Sequence, residues 1–205
     1  MDINYRHTEQ EVCVIELARK QGLLRSLDLA KHGIPRRVLG SLLTKGQLVR
    51  LARGVYALPA TKITENHSLA LVSTRAPKAI ICLLSALRFH ELTTQLPWQV
   101  WIAIHPKARP PLIPEVLVKI VRFSGEALEA GVELHNIEGV STRITNPART
   151  VVDCFRYRNK IGQDIANEAL RDALAQRKSS LPELALLARQ CRIFSVMRPY
   201  LELFT

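Results

Sequence analysis

Between Arg25 and Arg53 the chain carries Arg25, Lys31, Arg36, Arg37, Lys45, Arg50 and Arg53 against a single acid, Asp28. Cationic groups at this density neutralise phosphates, and the planar fork of arginine also matches guanine O6 and N7. The whole chain shares the bias, with 29 Lys and Arg against 18 Asp and Glu in 205 residues, a formal net charge of +11. A positive surface can serve solubility alone. Its concentration in one short segment points instead to a polyanionic partner, with nucleic acid first.

The elements that must hold these side chains follow from the apolar spacing. In "TEQEVCVIELARKQG", Val12, Ile15, Leu17 and Ala18 recur near a 3.6-residue period. Thr8 reads as N-cap, Glu11 as the far end of a capping box and Gly22 as the stop. A short second helix follows in "RSLDLAKHG", from Ser26 as N-cap to Gly33, and a third in "IPRRVLGSLLTKG", with Pro35 in its first turn and Gly46 at its C-terminal end. Two short strands, Leu48 to Arg50 and Gly54 to Ala57, then form a hairpin. Three helices and a hairpin, in that order, make a winged helix-turn-helix. The pattern changes after Pro59 and Ala60, which predicts a DNA-binding domain over 1–61 and an α+β domain over 62–205.

On the third helix Val38, Leu39, Leu42 and Leu43 form the apolar stripe, while Arg37, Gly40, Ser41 and Thr44 face the other way with Arg36 at the N-terminus. That outward face fits a major groove. Arg36 or Arg37 can fork onto guanine, Ser41 and Thr44 are short enough for base-edge or phosphate contacts, and Gly40 allows close approach. The alternative for the two arginines is plain solvation, but the positive end of a helix dipole does not favour them. Ser26 is an N-cap that can also offer its hydroxyl to a phosphate, and Lys45 either meets the DNA backbone or complements the helix C-terminus. Arg25 joins the same basic set. Arg50 and Arg53 read as the tip of a wing that touches phosphates or enters the minor groove; the competing reading is that they blunt an exposed edge strand.

The second half reads as mixed or antiparallel sheet in "WQVWIAI", "EVLVKIVRF", "VELHNI" and "VSTRIT", preceded by a helix over 65–76 and a strand-helix step in "KAIICLLSALRFHEL". It ends in helices beginning at Pro147. A spacing of three puts Trp98 and Trp101 on opposite faces of a flat strand, so at least one belongs to the core. Catalytic candidates are His90, His105, His135 and Asp153, none at ligand spacing with another. Asp153 follows Arg149 by four residues, which predicts an ion pair or a buried anchor. No acid is followed two positions later by Lys, the pair a metal-dependent nuclease would use, and no phosphate-cradling glycine loop or G-x-S-x-G elbow is present. We therefore expect no enzyme, no cofactor and no metal. Aromatic residues are not interleaved with the basic segment, which favours duplex DNA over single-stranded RNA. The cysteines, Cys13, Cys82, Cys154 and Cys191, lie far apart and read as reduced apolar residues. Without a basic-then-apolar leader or a long apolar run, the expected location is the cytoplasm, away from any membrane.

The run "GIPRRVLGSLLTKGQLVRLARGVYAL" resembles the winged-helix domain of AbiEi-type antitoxins, with a G-I-x-R helix, then G-x-L-x-R, then R-G-x-Y. "LLSALRFHEL" and "ITNPARTVVDCFRYRNKIG" resemble the S-A-L-x-x-H and P-x-R-T-x-x-D stretches of that family's second domain. The resemblance runs from about residue 10 to about residue 175. It implies a bacterial regulator that binds inverted repeats at its own promoter. It also implies the antitoxin of a type IV system, opposing a nucleotidyltransferase toxin without a stable complex. By the same match, DNA contact falls to Arg36, Arg37, Arg50 and Arg53. Glu91 follows His90 where the pattern leads one to expect Gly, and "CRIFSVMRPYLELFT" carries no assignable motif. The competing functional classes are a stand-alone repressor and a DNA-acting nuclease.

Overall fold

The computed structural model describes residues 2–61 and 63–204, with side chains from Thr8 onward apart from 126 and 127. Cα proximity groups the chain into two units: one runs to Thr74 and takes in Asn136–Ser141, the other comprises Arg75–His135 and the chain from Thr142. The architecture is α+β, as expected.

The first unit holds α1 (Asp2–Gln21), β1 (Leu24–Arg25), α2 (Asp28–Lys31), α3 (Arg37–Thr44), β2 (Val49–Ala52), β3 (Val55–Ala57) and most of α4 (His67–Arg75). Its sheet runs β1-β3-β2, antiparallel throughout. Val14, Ala18, Leu24, Leu29, Val38 and Leu42 fill the core beneath it. Two details correct the sequence reading. α1 starts well before Thr8, so Thr8 lies inside the helix and is not its N-cap. The buried stripe of α1 is Glu11, Val14 and Ala18, whereas Val12 is 49% exposed. The strand β1 was also not foreseen, because two residues cannot show an alternating pattern.

Gly22 ends α1 with φ +66°, a conformation that strains any residue bearing a Cβ. Contact adds a second reason: a Cβ there would stand 1.5 Å from the carbonyl oxygen of Glu138. Glu138 itself accepts from Thr64 N (2.6 Å) and Oγ1 (2.9 Å) and lies 2.7 Å from His67 Nδ1. Burial pushes its pKa up, but these partners outweigh burial and hold it below the usual glutamate value.

The second unit contains β4 (Ile80–Ile81), α5 (Leu83–Phe89), β5 (Val100–Ile104), β6 (Val118–Arg122), α6 (Glu126–Glu129) and most of β7 (Val132–Ile137) and β8 (Val140–Thr145). Helices α7 (Pro147–Arg156), α8 (Arg158–Ile161), α9 (Gln163–Ala175), α10 (Leu181–Gln190) and α11 (Phe194–Leu201) complete it. The sheet order is β6-β5-β4-β8-β7 and the sheet is mixed: β4 is antiparallel to β5 but parallel to β8, and β5 is parallel to β6. Every residue of β5 is buried, which is why "VWIAI" reads as an unbroken apolar run. Trp101 is core at 5% exposure, while Trp98 precedes the strand and is 76% exposed. α11 sends Met197 and Leu201 into the core. The sequence does not announce it, because Pro199 sits inside it and its N-cap, Ile193, offers no capping side chain.

Candidate nucleic-acid interface

α3 has the two-sided character its spacing implies. Val38, Leu39 and Leu42 are buried and Leu43 packs partly against them. Arg36, Arg37, Gly40 and Thr44 are exposed and Ser41 is half-buried. The first turn has neither an acid nor a capping side chain. Among the described residues, the side chains of Arg36 and Arg37 have no hydrogen-bond or ion-pair partner. Two guanidiniums at the positive end of a helix do nothing for stability. They are available to an anion.

The remaining basic residues divide into those held inside the fold and those left outside it. Arg25 is held: its Nε and Nη2 donate to Asp28 at 2.8 and 2.7 Å, and its Nη1 donates to the Thr74 carbonyl at 3.0 Å. Hydrogen bonding to Arg25 lowers the Asp28 pKa below the ordinary carboxylate value, and Asp28 in turn raises that of Arg25. Lys31 leans on the same acid at 3.3 Å. Lys45 Nζ donates to both carboxylate oxygens of Glu11, at 2.8 and 2.7 Å, and Ser41 Oγ donates to Glu11 Oε1 at 2.5 Å. Thr44 Oγ1 donates to the Gly40 carbonyl at 3.0 Å. Glu11, only 7% exposed, therefore ties α1 to α3 and fixes how the outward face of α3 is presented. The sequence reading made it a capping residue; the missed signal was its spacing of three and seven from Val14 and Ala18, on the buried side.

Arg50 and Arg53 do not share the hairpin tip. Arg50 lies within β2 opposite Tyr56, the register shifts between Arg50 and Ala52, and Arg53 with Gly54 makes the turn. A bulge adds a residue to one strand and twists it, a feature the sequence does not announce. Both arginines are exposed. Gly54 has φ +73°, and a Cβ there would come 3.1 Å from Ser26 Oγ. Ser26 N donates to the Gly54 carbonyl at 2.9 Å. The wing turn thus rests against Ser26. Ser26 is not an N-cap, because α2 begins at Asp28 and its cap position is Leu27.

Of the residues weighed for catalysis in the second unit, Asp153 lies in the core, His90 and His135 are half-buried and His105 is exposed. Arg149 and Asp153 are both fully buried, with Nε 2.9 Å from Oδ1. Arg149 Nη1 donates to the Ala130 carbonyl at 2.6 Å, and its guanidinium lies 5.2 Å from the Phe123 ring centroid. Burial raises the Asp153 pKa to about 6 against the pull of Arg149. Asn146 caps α7 by accepting from Arg149 N, and Thr150 Oγ1 donates to the Asn146 carbonyl at 2.8 Å. Ser85 Oγ accepts from Trp101 N at 2.9 Å, and His90 Nε2 lies 2.7 Å from the Thr145 carbonyl. The P-x-R-T-x-x-D and S-A-L-x-x-H stretches therefore join α5, α7 and the sheet. His90 and His135 come within 5.9 Å, ring to ring. Among the described residues, no three His, Cys, Asp or Glu side chains gather as metal ligands. Cys82, Cys154 and Cys191 are buried and Cys13 is half-buried, all unbridged. No described helix is long and apolar enough to cross a membrane.

Element order and sheet in the first unit are consistent with a winged helix-turn-helix. Residues 14–59, which span that motif, match the family described as "Transcriptional regulator, AbiEi antitoxin", so over this segment the family resemblance holds. No curated protein matches the chain. Among solved structures, the chain is similar to the RV2827C protein from Mycobacterium tuberculosis, with a TM-score of 0.56 and 18% identity over 88% of this chain and 71% of that one. At that identity the likeness concerns the fold.

Proposed function

We propose that the protein is a sequence-specific, double-stranded-DNA-binding transcriptional regulator, an autoregulating antitoxin of the AbiEi type that opposes a nucleotidyltransferase toxin. One observation carries the reading: the exposed face of α3 begins with Arg36 and Arg37, whose side chains have no partner among the described residues. α3 enters the major groove, where these arginines read base edges, and Arg50 and Arg53 of the hairpin hold the backbone or the minor groove. Arg25, Ser26, Ser41, Thr44 and Lys45 support that surface or reach phosphate from its margins. Regulation or antitoxicity falls to the second unit, and no step of catalysis is assigned.

A mobility-shift assay on the protein's own promoter and on a random duplex, at two salt concentrations, tests this. Preference for the promoter at both salts supports the reading, and equal affinity for the two duplexes overturns it. Divalent-dependent cleavage of the promoter would make the protein a nuclease instead. A nucleotidyltransferase gene next door, whose toxicity this chain relieves, separates antitoxin from stand-alone repressor.

A further inference from the structure

The second unit contains a cavity of about 700 Å³ that none of the DNA reading uses. Its floor and walls are apolar: Ala79 and Ile104 are buried, and Ala108, Pro111 and Leu128 close the sides. One wall, the turn after β5, is stiffened from below, because Arg122 Nη1 donates to the carbonyls of His105, Pro106 and Ala108 at 3.1, 2.5 and 3.1 Å. The size and apolar lining are those of small-molecule sites, which are largely formed before the ligand arrives.

The charged groups at this cavity are not equivalent. Arg75 is paired with Glu115, and Arg143 with Glu129. Lys78 and Arg109 also line the cavity, both exposed, and neither side chain has a hydrogen-bond or ion-pair partner among the described residues. Among the described residues, the only carboxylate in the lining is Glu129, already occupied. An apolar chamber with two unpaired cations at its rim is complementary to a ligand with an apolar body and one anionic head.

We propose that this cavity is a binding site for a small amphipathic carboxylate, whose apolar body lies on Ala79, Ile104 and Leu128 and whose carboxylate meets Lys78 and Arg109. The inference is independent of the DNA reading and can fail or hold without it.

The test is titration of the full chain with phenylacetate, 1-naphthylacetate and decanoate, followed by calorimetry and by amide chemical shifts. 1-Naphthylacetamide serves as the neutral control. The site predicts saturable binding of at least one acid, with shifts centred on 75–79, 104–111 and 128–129. The amide should bind about tenfold or more weakly than its acid, a difference of about 1.4 kcal/mol. Lys78→Ala with Arg109→Ala should weaken the acid by a similar factor and leave the amide unchanged. Ala108→Trp, which fills the chamber and keeps both cations, should abolish binding of acid and amide alike. The proposal is overturned if none of the three acids binds saturably, if acid and amide bind equally, or if Ala108→Trp binds as the wild type does.

Discussion

Replacing Glu11 should change stability and DNA affinity in opposite directions. Glu11 is 7% exposed, and its carboxylate holds Ser41 of α3 and the adjoining Lys45. Glu11→Gln keeps an acceptor for Ser41 and removes the charge. A hydrogen bond to a charged group contributes about 1.5–3 kcal/mol and a neutral one about 0.5–1.5, so the Ser41 bond weakens by about 1 kcal/mol. Lys45, whose side chain is 53% exposed, turns to water, and its pairing is worth at most about 1 kcal/mol. The sum is about 1–2 kcal/mol, a factor of roughly 5–30 in the local opening equilibrium. Hydrogen exchange on the full chain would read it as faster exchange at α1 and α3 amides with the second unit unchanged. Glu11→Ala should be worse by about 1 kcal/mol, because the half-buried Ser41 hydroxyl loses its partner. The freed Lys45 should at the same time tighten binding to a random duplex and steepen the salt dependence, by a slope of up to about 0.9. Wild-type exchange at α3 in both variants, or unchanged random-duplex affinity, would refute the assignment of Glu11 as the tether.

Glu91 adopts φ +55°, the left-handed conformation that glycine takes without strain. Glu91→Gly should therefore stabilise the second unit, by about 1 kcal/mol or less after the extra chain entropy of glycine is counted; a lower urea midpoint would contradict it. Arg149→Met should cost about 3–5 kcal/mol by leaving Asp153 buried without its counter-charge. With the Asp153 pKa near 6, the loss should be smaller at pH 5 than at pH 8, as denaturation at the two pH values would show. Burial lowers the His90 pKa below 6.5, against the opposing hydrogen bond to Thr145, so the folded state binds this proton less well than the unfolded chain. Its contribution is present above pH 6.5 and is lost as the pH falls toward the folded value; Asp153 acts in the opposite sense, losing stability as the pH rises through about 6. His90→Asn should consequently narrow the stability difference between pH 7.5 and 5.5 relative to wild type, and an identical difference would contradict this.

Much of the first unit was legible because its signals are local. The stripe of Val38, Leu39 and Leu42 and the stop at Gly46 report on neighbours within a turn or two. Contacts made at long range were not legible. Glu11 looked like a cap because its partners, Ser41 and Lys45, lie 30 and 34 residues away. The contact of Arg25 with the Thr74 carbonyl, 49 residues on, is equally out of reach of the sequence, although its partner Asp28 is only three residues away. Arg50 was placed at the hairpin tip because a bulge leaves no mark in the alternation. In the second unit, Glu91 looked like a departure from the family pattern, yet its backbone takes the left-handed conformation that a glycine there would take.

The central claim is that base reading and backbone holding are divided between α3 and the wing. The most direct test compares the double variant Arg36→Ala, Arg37→Ala with the double variant Arg50→Ala, Arg53→Ala, on the promoter and on a random duplex across a salt series. The first pair should lose more affinity on the promoter than on the random duplex. The second should lose similar affinity on both and flatten the salt dependence by up to about two phosphate contacts, a slope change of up to about 1.8. Equal losses on both duplexes for both pairs would contradict the division.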